Sequence, residues 1–167
     1  MRILLLVVVA ALAVPASGAS AATRKCTHVS RGFRACTTFG ERGERSAIYR
    51  RANGTWTKVA GEVPQRRGWW RRVVASPDRR TLLAQWSGEC EAQSTYLVSP
   101  RDGTTRPIFR GHESELVGWT DDGDALVRLR EGIWHGRTRL YAPGIYCVDP
   151  RTLAVRRLRA ERARPGC

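Results

Sequence analysis

Ala75-Ser-Pro-Asp-Arg-Arg-Thr-Leu-Leu83 returns forty-four residues on as Trp119-Thr-Asp-Asp-Gly-Asp-Ala-Leu-Val127. Each copy is followed by an apolar run with an internal tyrosine, Thr95-Tyr-Leu-Val-Ser-Pro100 and Ile145-Tyr-Cys-Val-Asp-Pro150. Turn residues separate short β-branched and aromatic stretches in both copies. A period of about forty to fifty residues holding several short strands is a mark of blade-like β architectures.

Working outward, four strands fit each copy. In the middle unit they are 69–75, 81–86, 95–99 and 104–108, with Arg101-Asp-Gly103 turning between the last two. Asp-Gly between apolar runs is a strong hairpin signal. In the last unit they are 115–119, 124–130, 144–148 and 153–158, with a longer loop through Trp134 and His135 before the third. A weaker first unit has strands at 47–51 and 55–59 about Asn53-Gly54, and a hairpin around Arg31-Gly32 supplies its two inner strands. Asn53-Gly-Thr55 is also a glycosylation sequon, but the turn alone explains it. No amphipathic helical stretch interrupts the pattern. The chain reads as all-β, with three four-stranded propeller-like blades.

The hairpin has a register. If it is centred on Arg31, Cys26 and Cys36 stand opposite each other, and directly opposed strand residues lie close enough for a disulfide. Of the remaining cysteines, Cys90 and Cys147 flank corresponding strands of neighbouring repeats. They are expected to form a second bridge, which leaves Cys167 as the odd thiol. Such usage suits an oxidising compartment. A zinc site is not expected, because there is no C-x-x-C pair and His28, His112 and His135 lack ligand spacing.

The ends agree with that compartment. Met1-Arg2, an apolar run over 3–14 and a small-x-small pattern ending at Ala21 read as a secretory signal over 1–21. The run is short of the roughly 20 residues that span a bilayer. The expected organisation is therefore a repeat domain over 22–158 and a basic tail over 159–167. The formal net charge is +14, which favours adhesion to polyanions. Lys25 and Lys58 are the only lysines, and so strong an arginine bias more often reflects a GC-rich genome than selection for a partner.

Candidate chemistry is sparse. Glu89-Cys90-Glu91 would raise a thiol's pKa rather than activate it. Asp121-Asp-Gly-Asp124 offers calcium-type oxygens, but it aligns with the Ser-Pro-Asp turn of the other copy. No nucleophile elbow or phosphate-cradling glycine loop occurs, so no cofactor is expected, and His112 and His135 are the only histidines to test for a hydrolase. Gln65-Arg-Arg-Gly-Trp-Trp-Arg-Arg72 is the best binding run. Trp70, Arg71 and Arg72 could stack on and neutralise an acidic polymer. Packing of one tryptophan between sheets is the competing reading, since neighbours on a strand face opposite sides.

Val74-Ala-Ser-Pro-Asp-Arg-Arg-Thr-Leu-Leu83 with Thr95-Tyr-Leu-Val-Ser99, and Val117-Gly-Trp-Thr-Asp-Asp-Gly-Asp-Ala-Leu126 with Gly144-Ile-Tyr-Cys-Val-Asp149, resemble blades of the TolB-like β-propeller family. In that family a Ser-Pro-Asp-Gly turn joins a blade's first two strands, and an Ile-Tyr-Leu-Val-Asp-like run forms the third. The resemblance covers roughly 48–158 and implies architecture rather than activity. Arg79 replaces the turn glycine, and three units fall short of the four to eight of a closed ring. An open stack, a three-unit disc sealed by disulfides, and a homodimer completing one six-bladed ring all fit. The expected function is a secreted, non-enzymatic binding or scaffold module. Its expected partner is a protein or acidic polymer of the cell envelope, with no specific nucleic acid and no transmembrane anchor in the mature form. A polyanion-binding adhesion protein and a secreted hydrolase are the alternatives.

Overall fold

The structure is a computed structural model that describes residues 22–40, 43–64, 66–88, 93–109 and 112–158. The signal segment 1–21, the tail 159–167 and Cys90 lie outside the described residues. Those described form strands and turns with no helix, so none of their helices is long and apolar enough to cross a membrane.

Three antiparallel four-stranded sheets carry the fold. The first is β1 (Thr23–Cys26), β2 (Phe33–Gly40), β3 (Gly43–Ala52) and β4 (Thr55–Ala60), in that spatial order. The second is β5 (Gly68–Ala75), β6 (Leu82–Gly88), β7 (Gln93–Val98) and β8 (Thr105–Ile108), again in chain order. The third joins β9 (Ser114–Trp119), β10 (Ala125–Leu129), β13 (Gly144–Val148) and β14 (Val155–Arg157). Between β10 and β13 the chain makes a separate hairpin, β11 (Ile133–His135) with β12 (Thr138–Tyr141), where a loop was expected.

Turn chemistry sets this meander. Asn53 and Gly54 have φ of 50° and 77°, and Arg31 and Gly32 have 47° and 88°, the paired positive values of a type I′ hairpin turn. The expected register holds: Cys26 pairs with Cys36, and their sulfurs are bonded across a Cα separation of 4.0 Å. The turns after β5 and β9 have the same frame. Ser76 N–H donates to Thr81 O at 2.9 Å, and Thr120 N–H donates to Asp124 O at 2.9 Å. Arg79, standing where the other copy has Gly123, takes the left-handed conformation at φ 61°, a strain that glycine avoids.

The sheets stack face to face. Phe33, Ala35, Ile48 and Ala60 of the first meet Trp70, Val73, Ala84 and Trp86 of the second. Leu83, Leu97 and Ile108 on the other face of the second sheet meet Leu116, Ala125, Val127 and Val148 of the third. The inner strand of each later sheet packs on the preceding one, β5 on β2 and β3 and β9 on β6 and β7. Buried hydroxyls fasten these steps. Trp70 N–H donates to Ser46 Oγ at 2.8 Å, and Thr95 N–H donates to Ser114 Oγ at 3.0 Å. The result is an open stack of blade-like sheets rather than a closed ring.

Two residues singled out by the sequence, Trp70 and Cys147, are buried. Trp70 is not at the surface: it is 2% exposed, lies edge-on to Trp86 and Tyr96, and donates its indole N–H to Gly61 O at 2.7 Å. As a binding residue it is therefore corrected to a core residue. Cys147 is disulfide-bonded, and the partner expected from the sequence, Cys90, lies outside the described residues.

Candidate functional site

The site begins with one extra residue in β5. Trp70 pairs with Trp86 and Arg72 with Gln85, so Arg71 is bulged out between them. A bulge breaks strict alternation and re-aims neighbouring side chains. Trp70 and Val73 consequently both face the core, while Arg71 and Arg72 are both exposed. Gly68, at the start of the strand, allows a close approach. At φ 144°, a Cβ there would stand 2.0 Å from Ser87 O and 2.7 Å from Trp86 Nε1, so only glycine lets β5 lie this close to β6.

Two cavities meet at Arg71. One, of about 510 Å³, lies between the second and third sheets and is lined by Trp69, Arg71, Gln93, Glu113, Glu115 and Arg130 among others. The other, of about 750 Å³, runs between the first and second sheets past His28, Ser30, Arg71, Arg72, Gln85 and Gln93. Together they make a cleft along the inner strands. Gln85 Nε2 donates to Gln93 Oε1 at 2.7 Å, leaving further amide donor and acceptor capacity on this wall.

Charge is unevenly satisfied here. Glu115 binds Arg130, and it lies 3.7 Å from Arg128. Its hydrogen bond and charge hold the Arg130 guanidinium above its ordinary pKa. Arg71 and Arg72 make no ion pair with a described residue. The unpaired cations of the cleft are thus Arg71 and Arg72, with the half-buried Trp69 beside them and the exposed Glu113 carboxylate on the opposite wall of the first cavity.

The structure keeps Arg71 and Arg72 together at the mouth, replaces Trp70 by Trp69, and adds Gln85, Gln93 and His28. His112 lies elsewhere, half-buried beside a cavity of about 300 Å³ lined with Phe109, Ile133, Tyr141 and Val155. Among the described residues that lining is apolar apart from the tyrosine hydroxyl and the imidazole, with no serine, cysteine or carboxylate. His135 is exposed on β11. Asp121 and Asp122 are exposed in a turn closed by Thr120, whose Oγ1 accepts from Asp124 N–H at 3.0 Å.

No protein-family model matches the chain, and no curated protein sequence matches it. Among solved structures it is similar to TolB from Acinetobacter baumannii, with 21% identity over 76% of this chain and a TM-score of 0.47. The match covers 29% of that protein, so this chain spans under a third of its length.

Proposed function

We propose that this chain is a non-catalytic binding module of the cell envelope or extracellular space, and that its inner-strand cleft takes an acidic polymer. One observation carries the reading: the β5 bulge presents Arg71 and Arg72, unpaired among described residues, at the junction of two cavities walled by Trp69 and the Gln85–Gln93 pair. Exposed arginines attract an anionic chain, the Trp69 indole gives it an aromatic surface to lie against, and amides hydrogen-bond its hydroxyls. The secretory reading of 1–21 and the Cys26–Cys36 bond support an oxidising compartment.

Retention of the mature protein on heparin tests this. Arg71→Ala with Arg72→Ala is expected to lower retention and to flatten the dependence on salt by about one unit of slope per lost contact. Unchanged retention overturns the reading. So does turnover of an ester, peptide or glycoside that disappears in His112→Ala or His135→Ala.

A further inference from the structure

We propose that the β11–β12 hairpin is a finger that seats Trp134 and Leu140 in the headgroup zone of an anionic lipid bilayer. The hairpin is additional to the blade plan. Gly88 and Gln93, the ends of β6 and β7, are joined in the second sheet by the four residues 89–92, whereas Leu129 and Gly144 in the third are joined by fourteen. Those residues add no strand to the four-stranded sheet; only their root, Ile133 and Tyr141, joins the packing of the stack.

Its root is fixed, and beyond the root it exposes two large apolar side chains. Ile133 is buried, and Tyr141 packs edge-on to Phe109 and Tyr146 with ring centroids at 5.1 and 5.7 Å. Beyond that anchor, Trp134 is 58% exposed and Leu140 57%. A single exposed apolar residue is ordinary, but two this large on a nine-residue hairpin with a held base form a small projecting apolar surface.

The charge on the finger chooses the occupant. Arg137 and Arg139 are exposed, the Arg139 guanidinium lies 5.9 Å from the Trp134 ring, and no carboxylate occurs between Ile133 and Tyr141. Tryptophan settles at the depth of lipid headgroups, and arginine stems bury along apolar surface while their heads reach phosphate. Apolar insertion and cationic attraction to anionic lipid reinforce each other in such an element. The finger acts independently of the Arg71–Arg72 cleft.

The test is co-sedimentation of the full mature chain with vesicles of phosphatidylcholine, with and without phosphatidylglycerol. Binding is expected only to the anionic vesicles. Trp134→Ser with Leu140→Ser is expected to lower it roughly tenfold while thermal melting stays unchanged, and Arg137→Gln with Arg139→Gln is expected to weaken it as well. Arg71→Ala with Arg72→Ala is expected to lose heparin retention and keep vesicle binding, which separates the two sites. The proposal is overturned if the native chain ignores anionic vesicles, or if the Trp134 and Leu140 variant binds them as the native chain does. A chain that ignores vesicles but changes from dimer to monomer on Trp134→Ser would assign the finger to a second copy instead, and that too overturns it.

Discussion

The first and third sheets face the same problem, since each has one side with no neighbouring sheet, and they solve it differently. On the first sheet, Ala35 and Ile48 face the second sheet, so Arg34, Cys36, Tyr49 and Trp56 face away. There the Arg34 guanidinium lies 3.9 Å from the Trp56 ring centre and Arg24 lies 4.5 Å from that of Tyr49, beside the Cys26–Cys36 bond. Beside these cation–aromatic contacts Cys36 and Ala47 are buried, with no other described sheet packed on that face. On the third sheet, Val127 and Val148 face the second, so Leu126, Ile145 and Cys147 face away. Val117 is exposed there, yet Cys147 is only 3% exposed and is bonded. End units of a stack need a covered outer face; both ends carry a disulfide there, and the first adds cations lying on aromatic rings.

Breaking those bonds should give the largest effects. Removing Cys26–Cys36, as Cys26→Ser with Cys36→Ser, is expected to cost roughly 2–3 kcal/mol for a loop of this size. Cys147→Ser should cost at least as much, because Cys90 and Cys167 are both farther from it in the chain than Cys26 is from Cys36 and longer loops constrain the unfolded chain more. Urea unfolding compares the two. Non-reducing peptide mapping is expected to recover Cys147 with Cys90, the pairing that joins corresponding elements of neighbouring repeats. Recovery with Cys167 would overturn that pairing and leave Cys90 as the odd thiol.

A smaller effect tests the stacking directly. Arg34 Nε is buried without a hydrogen-bond partner, so the Trp56 ring supplies its main compensation. Arg34→Ala is expected to lose about 1 kcal/mol, and Arg34→Lys to recover only part, because an ammonium cannot lie flat on the ring. The matching change on the third sheet, Arg128→Ala, removes an exposed ion pair and should cost a few tenths of a kcal/mol at most. Equal costs at the two positions would erase the distinction between the two ends.

How much of this was legible in the residues follows the same divide. The Arg31-Gly32 turn sets the opposition of Cys26 and Cys36, and Asp, Pro and Gly mark the turns that close each sheet, because turn chemistry is local. The burial of Trp70 rather than Trp69 was not legible, since the bulge at Arg71 adds one residue without changing the types around it. Gln85 and Gln93 join the cleft only through strand pairing. The β11–β12 hairpin escaped because Thr138-Arg-Leu-Tyr141 is short and half polar, and it is stabilised by an aromatic anchor that includes Phe109, distant in the chain.

The smallest expected effect is a difference in acid response between the two ends. Asp149 accepts from Arg151 N–H at 2.7 Å and from Thr152 Oγ1 at 2.8 Å, and the Arg151 amide first, then that hydroxyl, hold its carboxyl below the ordinary 3.8. Asp78 is lowered by the Ser76 hydroxyl and then the Arg80 amide, and Asp102 by the Thr104 amide. These carboxylates close turns of the second and third sheets. The two turns described in the first sheet, Arg31-Gly32 and Asn53-Gly54, contain none. A carboxyl whose pKa is lower folded than unfolded adds stability above its unfolded pKa, and that stability is lost as pH falls through the folded value. The turn over 149–154 should therefore lose hydrogen-exchange protection on going from about pH 6 to about pH 3, after correction for intrinsic rates, while the Asn53-Gly54 turn should not. In Asp149→Asn the amide oxygen can still accept but no longer titrates, so the acid sensitivity of that peptide should vanish. Equal acid loosening of both turns, or an unchanged acid response in Asp149→Asn, would show that these carboxylates do not set the difference between the ends.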